Sequence, residues 1–182
     1  MKVPRRDVRP TTDMVREALF AILGESVIDA RFLDLFGGSG AVGIEAWSRG
    51  AGSVCWIEED GSTVKILTDN VKQLCDNRTR ILKGDALRQL KRGAGGEAPF
   101  DIIFADPPYR ETTDYGRQAA DDKGLIEELL DAVAEGGVLK EGGVFIMEMG
   151  KKSKVTEAEG WRLSDERKYG RTKLCFFRRN EQ

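Results

Sequence analysis

The tetrapeptide Asp106-Pro107-Pro108-Tyr109 is the stretch of this chain best equipped for chemistry. Its two prolines fix the backbone, so the Pro107 carbonyl is held in a set direction. That carbonyl and the Asp106 carboxylate can both accept hydrogen bonds from one amino group, and the exocyclic –NH2 of a nucleobase suits the pair. The lone pair of such an amine is delocalised into the ring. Two acceptors hold the nitrogen nearer to tetrahedral, aim its lone pair at an electrophile and stabilise the positive charge that develops. Tyr109 offers a face on which an extruded base can stack. No histidine occurs in the 182 residues, which excludes Ser-His-Asp, Cys-His and His-Glu-x-x-His chemistry together. Residues 106–109 need no histidine base, because the proton leaves after attack. In isolation the same tetrapeptide reads equally as a rigid turn and a core aromatic, so its surroundings decide.

A second constellation lies upstream, in Phe32-Leu33-Asp34-Leu35-Phe36-Gly37-Gly38-Ser39-Gly40-Ala41-Val42-Gly43. Glycines suit a turn where a ligand must approach the backbone. Gly38, Gly40 and Gly43 satisfy G-x-G-x-x-G, a pattern shared with NAD enzymes and weak by itself. Asp34, just before the glycines, discriminates. A pyrophosphate would be repelled by it, whereas S-adenosylmethionine (SAM) has no phosphate and carries an ammonium and a cationic sulfonium. Glu58 stands 20 residues after Gly38, where an acid can accept both ribose hydroxyls of either cofactor. Asp85 is placed to meet an adenine amino group, and the Ala86 N–H to meet the ring; a helix cap is an equally good reading of Asp85. The candidate cofactor residues are therefore Asp34, Phe36, Gly37, Gly38, Gly40, Glu58, Asp85 and Ala86, and no metal site is expected.

These residues need a scaffold that brings distant loops together. Residues 1–10 read as an extended basic arm, and residues 11–182 as one domain. Thr12 can cap a helix in which Val15, Ala18, Leu19, Ile22 and Leu23 share a face, with Gly24 as its stop. Strands are then expected at 31–36, 53–57, 79–83, 100–105 and 143–149. Helices are expected between them at 41–49, 61–75, from 86 and at 123–134, with a surface loop at 93–96. Such alternation implies a parallel sheet covered on both faces. Residues 161–168 and 172–178 read as two strands split by Tyr169-Gly170-Arg171, a terminal antiparallel hairpin. Seven mostly parallel strands ending this way describe the Rossmann-like fold of class I SAM methyltransferases. Asp34, Glu58, Asp85 and Asp106 would all lie where such sheets bind ligands, at the carboxyl ends of strands.

Composition narrows the setting. A hydrophobic fraction of 40% with 33% charged residues suits a soluble protein, and no apolar run approaches the roughly 18 residues of a membrane span. With no signal-peptide pattern, a cytoplasmic location is expected, with no membrane partner. Cys55, Cys75 and Cys175 are odd in number and widely spaced, so reduced thiols are expected rather than a disulfide framework or zinc site. Net charge is −2, yet Lys2, Arg5, Arg6 and Arg9 cluster at the start, and the run from Arg167 to Arg179 has six basic residues and no acid. Such patches can hold RNA phosphates, and ordinary solvated faces explain them equally on charge alone.

Taken together, the chain resembles the bacterial 16S ribosomal RNA guanine-N2 methyltransferases. The likeness rests on Arg9-Pro10-Thr11-Thr12-Asp13 leading into Val15-Arg16-Glu17-Ala18-Leu19-Phe20, on Leu33 to Gly40, on Ile57-Glu58, on Asp106 to Tyr109 and on Tyr169-Gly170. The Arg-Pro-Thr opening separates this family from other Asp-Pro-Pro-Tyr enzymes, including DNA adenine-N6 methyltransferases. The resemblance implies SAM as donor, S-adenosylhomocysteine as product, and one guanine of 16S rRNA as target on a small-subunit assembly intermediate. It also implies that the Arg9-Pro10-Thr11 region closes over the cofactor or target; a monomer is expected. Arg5, Arg6, Arg9, Thr11, Arg171 and Lys173 are the expected RNA-binding or site-closing residues. Family members usually carry a longer basic hairpin where eight residues precede Arg9 here. A methyltransferase for DNA adenine or another RNA base keeps the same residue roles. A non-catalytic RNA-binding assembly factor and an NAD oxidoreductase fit less well.

Overall fold

The computed structural model describes residues 13–97, 99–108, 122–155 and 158–180. Strand and helix alternate as β1 (Arg31–Asp34), α2 (Ala41–Ser48), β2 (Ser53–Glu58), α3 (Gly61–Leu74), β3 (Thr79–Lys83), α4 (Ala86–Lys91), β4 (Phe100–Ala105), α5 (Asp122–Glu135) and β5 (Leu139–Gly150). Helix α1 (Asp13–Leu23) precedes them, and β6 (Trp161–Tyr169) and β7 (Thr172–Arg179) follow. All seven strands form one sheet in the order β3-β2-β1-β4-β5-β7-β6. Strands β1 to β5 pair in parallel, and β7 runs antiparallel between β5 and β6.

The strand order reverses between β1 and β4, which opens a crevice at the carboxyl ends of those two strands. Strand periodicity builds the covering layers. Phe32, Phe104 and Ile146 face one core with Val15 and Leu19 of α1, Ala46 of α2 and Leu67 of α3. Leu33, Ile103 and Phe145 face the other, with Leu90 of α4 and Leu129 of α5. Trp56, Phe32 and Phe104 are at most 1% exposed, each contributing about 1.5–3 kcal/mol of apolar burial.

The differences from the sequence reading have local causes. Strand β1 stops at Asp34, because Phe36 and Gly37 leave the sheet; Gly37 N–H donates to the Ile57 carbonyl as the turn begins. Strand β5 starts at Leu139, earlier than expected, because its Gly142-Gly143 pair is absorbed as a register shift against β4. Gly24, with φ of +51°, passes α1 into a 3-10 turn at Gly24–Val27 instead of a stop. A second 3-10 turn, Ala94–Gly96, sits inside the expected surface loop. Thr12 and the basic arm at 1–10 lie outside the described residues. The three thiols are free, and burial pushes Cys55 up to about 12 and Cys175 up to about 11, so neither forms a thiolate readily.

Candidate active site

Because β1 to β4 are parallel, the turns after them open at one edge of the sheet. Asp34 ends β1 in register with Trp56 of β2 and Phe104 of β4. It is 2% exposed and accepts a hydrogen bond from Gly43 N–H at 3.3 Å. Burial pushes its carboxyl up to about 7; the Gly43 hydrogen bond opposes this, and the nearby Glu58 charge adds to it.

Glu58 ends β2 and ties the neighbouring turns together. Its Oε2 accepts from Gly38 N–H at 2.9 Å, and its Oε1 from Asp60 N–H at 2.9 Å. The glycine turn is closed by Gly40 N–H donating to the Gly37 carbonyl at 2.7 Å. The glycines have separate causes. A Cβ on Gly43 would come within 2.3 Å of the Trp56 indole, and one on Gly40, where φ is +88°, within 2.7 Å of Leu67. Packing beneath the turn therefore demands both. Gly38 has φ of +52°, and a Cβ there would meet only the Phe36 carbonyl, at 3.8 Å. Its requirement is conformational, and the space beside it is open.

After β3, Asp85 caps α4 by accepting from Arg88 N–H at 2.8 Å, so the capping reading describes the structure. Ala86 is the first residue of that helix, where the helix makes no use of the N–H. Phe36 is half-buried against the α4–α5 core. Asp106 and Pro107 leave β4 across the switch point from Asp34; Asp106 is half-buried, Pro107 buried and Pro108 exposed. Tyr109, Arg5, Arg6, Arg9 and Thr11 lie outside the described residues.

Sequence reasoning missed two polar residues. Asn70 is 1% exposed and donates from Nδ2 to the Ser39 carbonyl at 2.9 Å, pinning the glycine turn to α3. Its signal was available: with Thr63, Leu67 and Val71 it falls on the buried stripe of an amphipathic helix. Glu148, 6% exposed, interrupts the apolar run of β5.

One expectation is corrected. Lys173 does not belong to an exposed basic patch: it is 4% exposed, with Nζ 2.8 Å from Glu166 Oε2. The acids that balance the Arg167–Arg179 run stand just before it, in β6 itself. Asp165 pairs with Arg167 at 2.9 Å, and Glu166 pairs with Lys168 at 3.1 Å. Arg171, at the hairpin turn, is exposed.

The donor set fits SAM. A buried acid near neutrality gains by facing a cation, whereas a pyrophosphate beside Asp34 would force it to hold its proton. Glu58 ends β2, where the sequence reading expects the ribose, and α4 starts where it expects the adenine.

The strand order, the antiparallel β7 and the acid before the glycine turn define a class I SAM-dependent methyltransferase fold. Within that class the chain belongs to the Conserved hypothetical protein 95 family, whose profile matches residues 1–178. It is 32% identical over 176 residues to the ribosomal RNA small subunit methyltransferase D of Escherichia coli K12, covering 96% of this chain and 81% of that protein. The solved structure of the Escherichia coli protein yhhF superposes with a TM-score of 0.80 at 30% identity, covering 100% of this chain and 93% of that one. The methyltransferase SMU.776, solved with S-adenosylhomocysteine, gives a TM-score of 0.66 at 16% identity over 90% of this chain and 48% of its own, which supports the fold alone. Among the described residues no helix is long and apolar enough to cross a membrane.

Proposed function

We propose that this protein methylates the exocyclic N2 amine of a guanine in 16S rRNA, using SAM, on a small-subunit assembly intermediate. The observation that carries the reading is the placement of Asp106 and Pro107 at the carboxyl end of β4, across the switch point from the buried Asp34 and the glycine turn. The Escherichia coli relative, named for methylation of small-subunit rRNA, supports the choice of substrate. Asp34, the open side of Gly38, Glu58 and the start of α4 would hold SAM; Phe36, Gly37, Gly40 and Asp85 shape that pocket. When bound, SAM supplies an electrophilic methyl on a cationic sulfur.

The chain's own residues supply orientation and charge. Asp106 and the Pro107 carbonyl accept from the target amine, and Pro108 keeps that carbonyl in place. As the nitrogen takes up the methyl it becomes positive, and the two acceptors stabilise it most at that moment. A proton then leaves the nitrogen. Tyr109 stacks the extruded base, fixing the approach line; alignment of this kind is worth about 7–11 kcal/mol in favourable cases. Arg5, Arg6, Arg9 and Thr11 hold RNA or close the site, and Arg171 holds a phosphate.

The test uses small-subunit particles from a strain lacking the gene. Purified protein and labelled SAM should deposit label in N2-methylguanosine of the 16S fraction, read by nucleoside mass spectrometry. Label in N6-methyladenosine, or in DNA offered alongside, would overturn the guanine reading.

A further inference from the structure

Glu148 has no part in the reading above. It lies in β5 within Val144-Phe145-Ile146-Met147-Glu148-Met149, otherwise apolar, and only 6% of it is exposed. Burying a carboxylate is costly, and an aliphatic residue would serve packing better at such a position. Interactions within the chain hold the side chain.

Its placement is specific. Strands β4 and β5 pair in parallel, with Phe104 opposite Ile146 and Ala105 opposite Met147. Continued one residue, that register sets Asp106 beside Glu148, with neighbouring strands about 4.8 Å apart. Phe104 and Ile146 face the same core, so alternation turns residues 106 and 148 to that side as well. Asp34, in register with Phe104, belongs to the same face. Two acids thus stand side by side at the carboxyl edge of β4 and β5.

Guanine and adenine differ where such a pair would read them. The guanine edge carries two donors side by side, N1–H and the N2 amine. Beside its N6 amine, adenine carries an N1 lone pair, which a second carboxylate would repel. An acid accepting from N1–H also pushes electron density toward N2 and makes that amine a better nucleophile. We infer that Glu148 is the specificity-determining residue of this site: it accepts the N1–H of the target guanine while Asp106 accepts from the N2 amine. The inference rests on the guanine reading above.

The experiment compares guanine with 2-aminopurine at the mapped target nucleotide, in particles assembled with a synthetic RNA segment. 2-Aminopurine keeps the N2 amine but has an acceptor at N1. The wild-type protein should prefer guanine by at least about 10²-fold in kcat/KM, because a site built to receive a donor rejects the analogue lacking it. Glu148→Gln presents an amide that can donate to N1 of 2-aminopurine. It should lower kcat/KM on guanine by about 10²-fold, narrow the preference at least about tenfold, and leave the SAM dissociation constant within about twofold. Equal losses on both bases from Glu148→Gln would show a merely structural acid and overturn the inference. Equal wild-type rates on the two bases would overturn it without any variant, should Glu148→Gln not fold. Wild-type transfer to guanine with full preference in Glu148→Gln sinks only the role of Glu148. Wild-type transfer to adenine sinks the guanine reading and this inference with it.

Discussion

At the carboxyl ends of β1 and β5, Asp34 and Glu148 are driven into the protein, 2% and 6% exposed. In the β6–β7 hairpin, Asp165 and Glu166 stand among Arg167, Lys168 and Lys173 at ion-pair distance. The Lys173 and Lys168 ammonium groups hold the Glu166 carboxyl below the usual carboxylate range. Both regions carry acids on strands of the one sheet, with opposite consequences. The hairpin acids are satisfied by cations of this chain, exposed at Arg167 and Lys168 and buried at Lys173, so they add cohesion and little else. The buried acids cost stability in the free protein, and the proposed function accounts for that cost by the ligand groups they would face. On the proposed function, the acids buried at the carboxyl edge of the sheet serve the ligand, and the acids of the hairpin serve structure.

The sharpest break of that contrast is Asp106→Ala. On the proposed mechanism its carboxylate acts most strongly in the transition state, so kcat should fall by about 10²–10³ with SAM affinity within about twofold of wild type. Lys168→Ala, in the paired hairpin, should leave the rate within about twofold. Single-turnover methyl transfer to undermodified small-subunit particles measures both. Wild-type transfer by Asp106→Ala would end the proposed mechanism whatever the fold.

Asp34 provides the next largest effect, through pH. Its carboxyl, pushed up to about 7 chiefly by burial, binds a proton more tightly in the native than in the unfolded chain. Its contribution to stability is therefore whole below the ordinary carboxylate range, near pH 4, and is lost as pH rises to about 7. The ceiling on that loss is about 4 kcal/mol. Without ligand, the wild-type melting temperature should fall between pH 5 and 8 more than that of Asp34→Asn. Cofactor binding should show the reverse sign, because a bound ammonium favours the carboxylate. Below pH 7 binding releases a proton, and affinity rises as pH approaches 7. Calorimetry in two buffers of different ionisation heat reads the proton directly. Equal proton release by wild type and Asp34→Asn would remove Asp34 from the pocket.

The two regions also differ in how far the sequence exposes them. The parallel half was legible because local signals agree there: apolar strands such as Phe100–Ala105 alternate with amphipathic helices, and a glycine turn opens α2. Asp34, Glu58 and Asp106 could be placed at one edge from topology alone. The hairpin could be placed as two strands, but the burial of Lys173 against Glu166 could not be foreseen. Arg167 to Arg179 looks uniformly basic only when cut off from Asp165 and Glu166, which pair with Arg167 and Lys168 two residues along the same strand; Lys173 alone is brought to Glu166 by the cross-strand register. Asn70 and Glu148 were overlooked for a related reason. Each is one polar residue in an apolar pattern; the contact of Asn70 is made across 31 residues, and Glu148 meets the carboxyl end of β4 only once β4 and β5 pair. The start of β5 was misplaced because Gly142-Gly143 reads as a break and the sheet accommodates it as a register shift.

The smallest expected effect separates two neighbours in the basic run. Arg171 is exposed at the hairpin turn, whereas Lys173 is buried against Glu166. If Arg171 contacts one phosphate, Arg171→Ala should weaken RNA binding a few-fold and reduce the salt slope by about one. Its melting temperature should hardly move. Lys173→Ala should do the opposite. It leaves the salt slope alone but removes a buried stem and one partner of Glu166, costing on the order of 1–2 kcal/mol once the exposure of Glu166 and its second partner Lys168 are allowed for. Filter binding of 16S rRNA over a range of salt, with thermal melts of both variants, separates them. A salt slope lowered equally by both substitutions would mean that Lys173 leaves Glu166 when RNA binds. The division between paired and functional charge would then fail at this position.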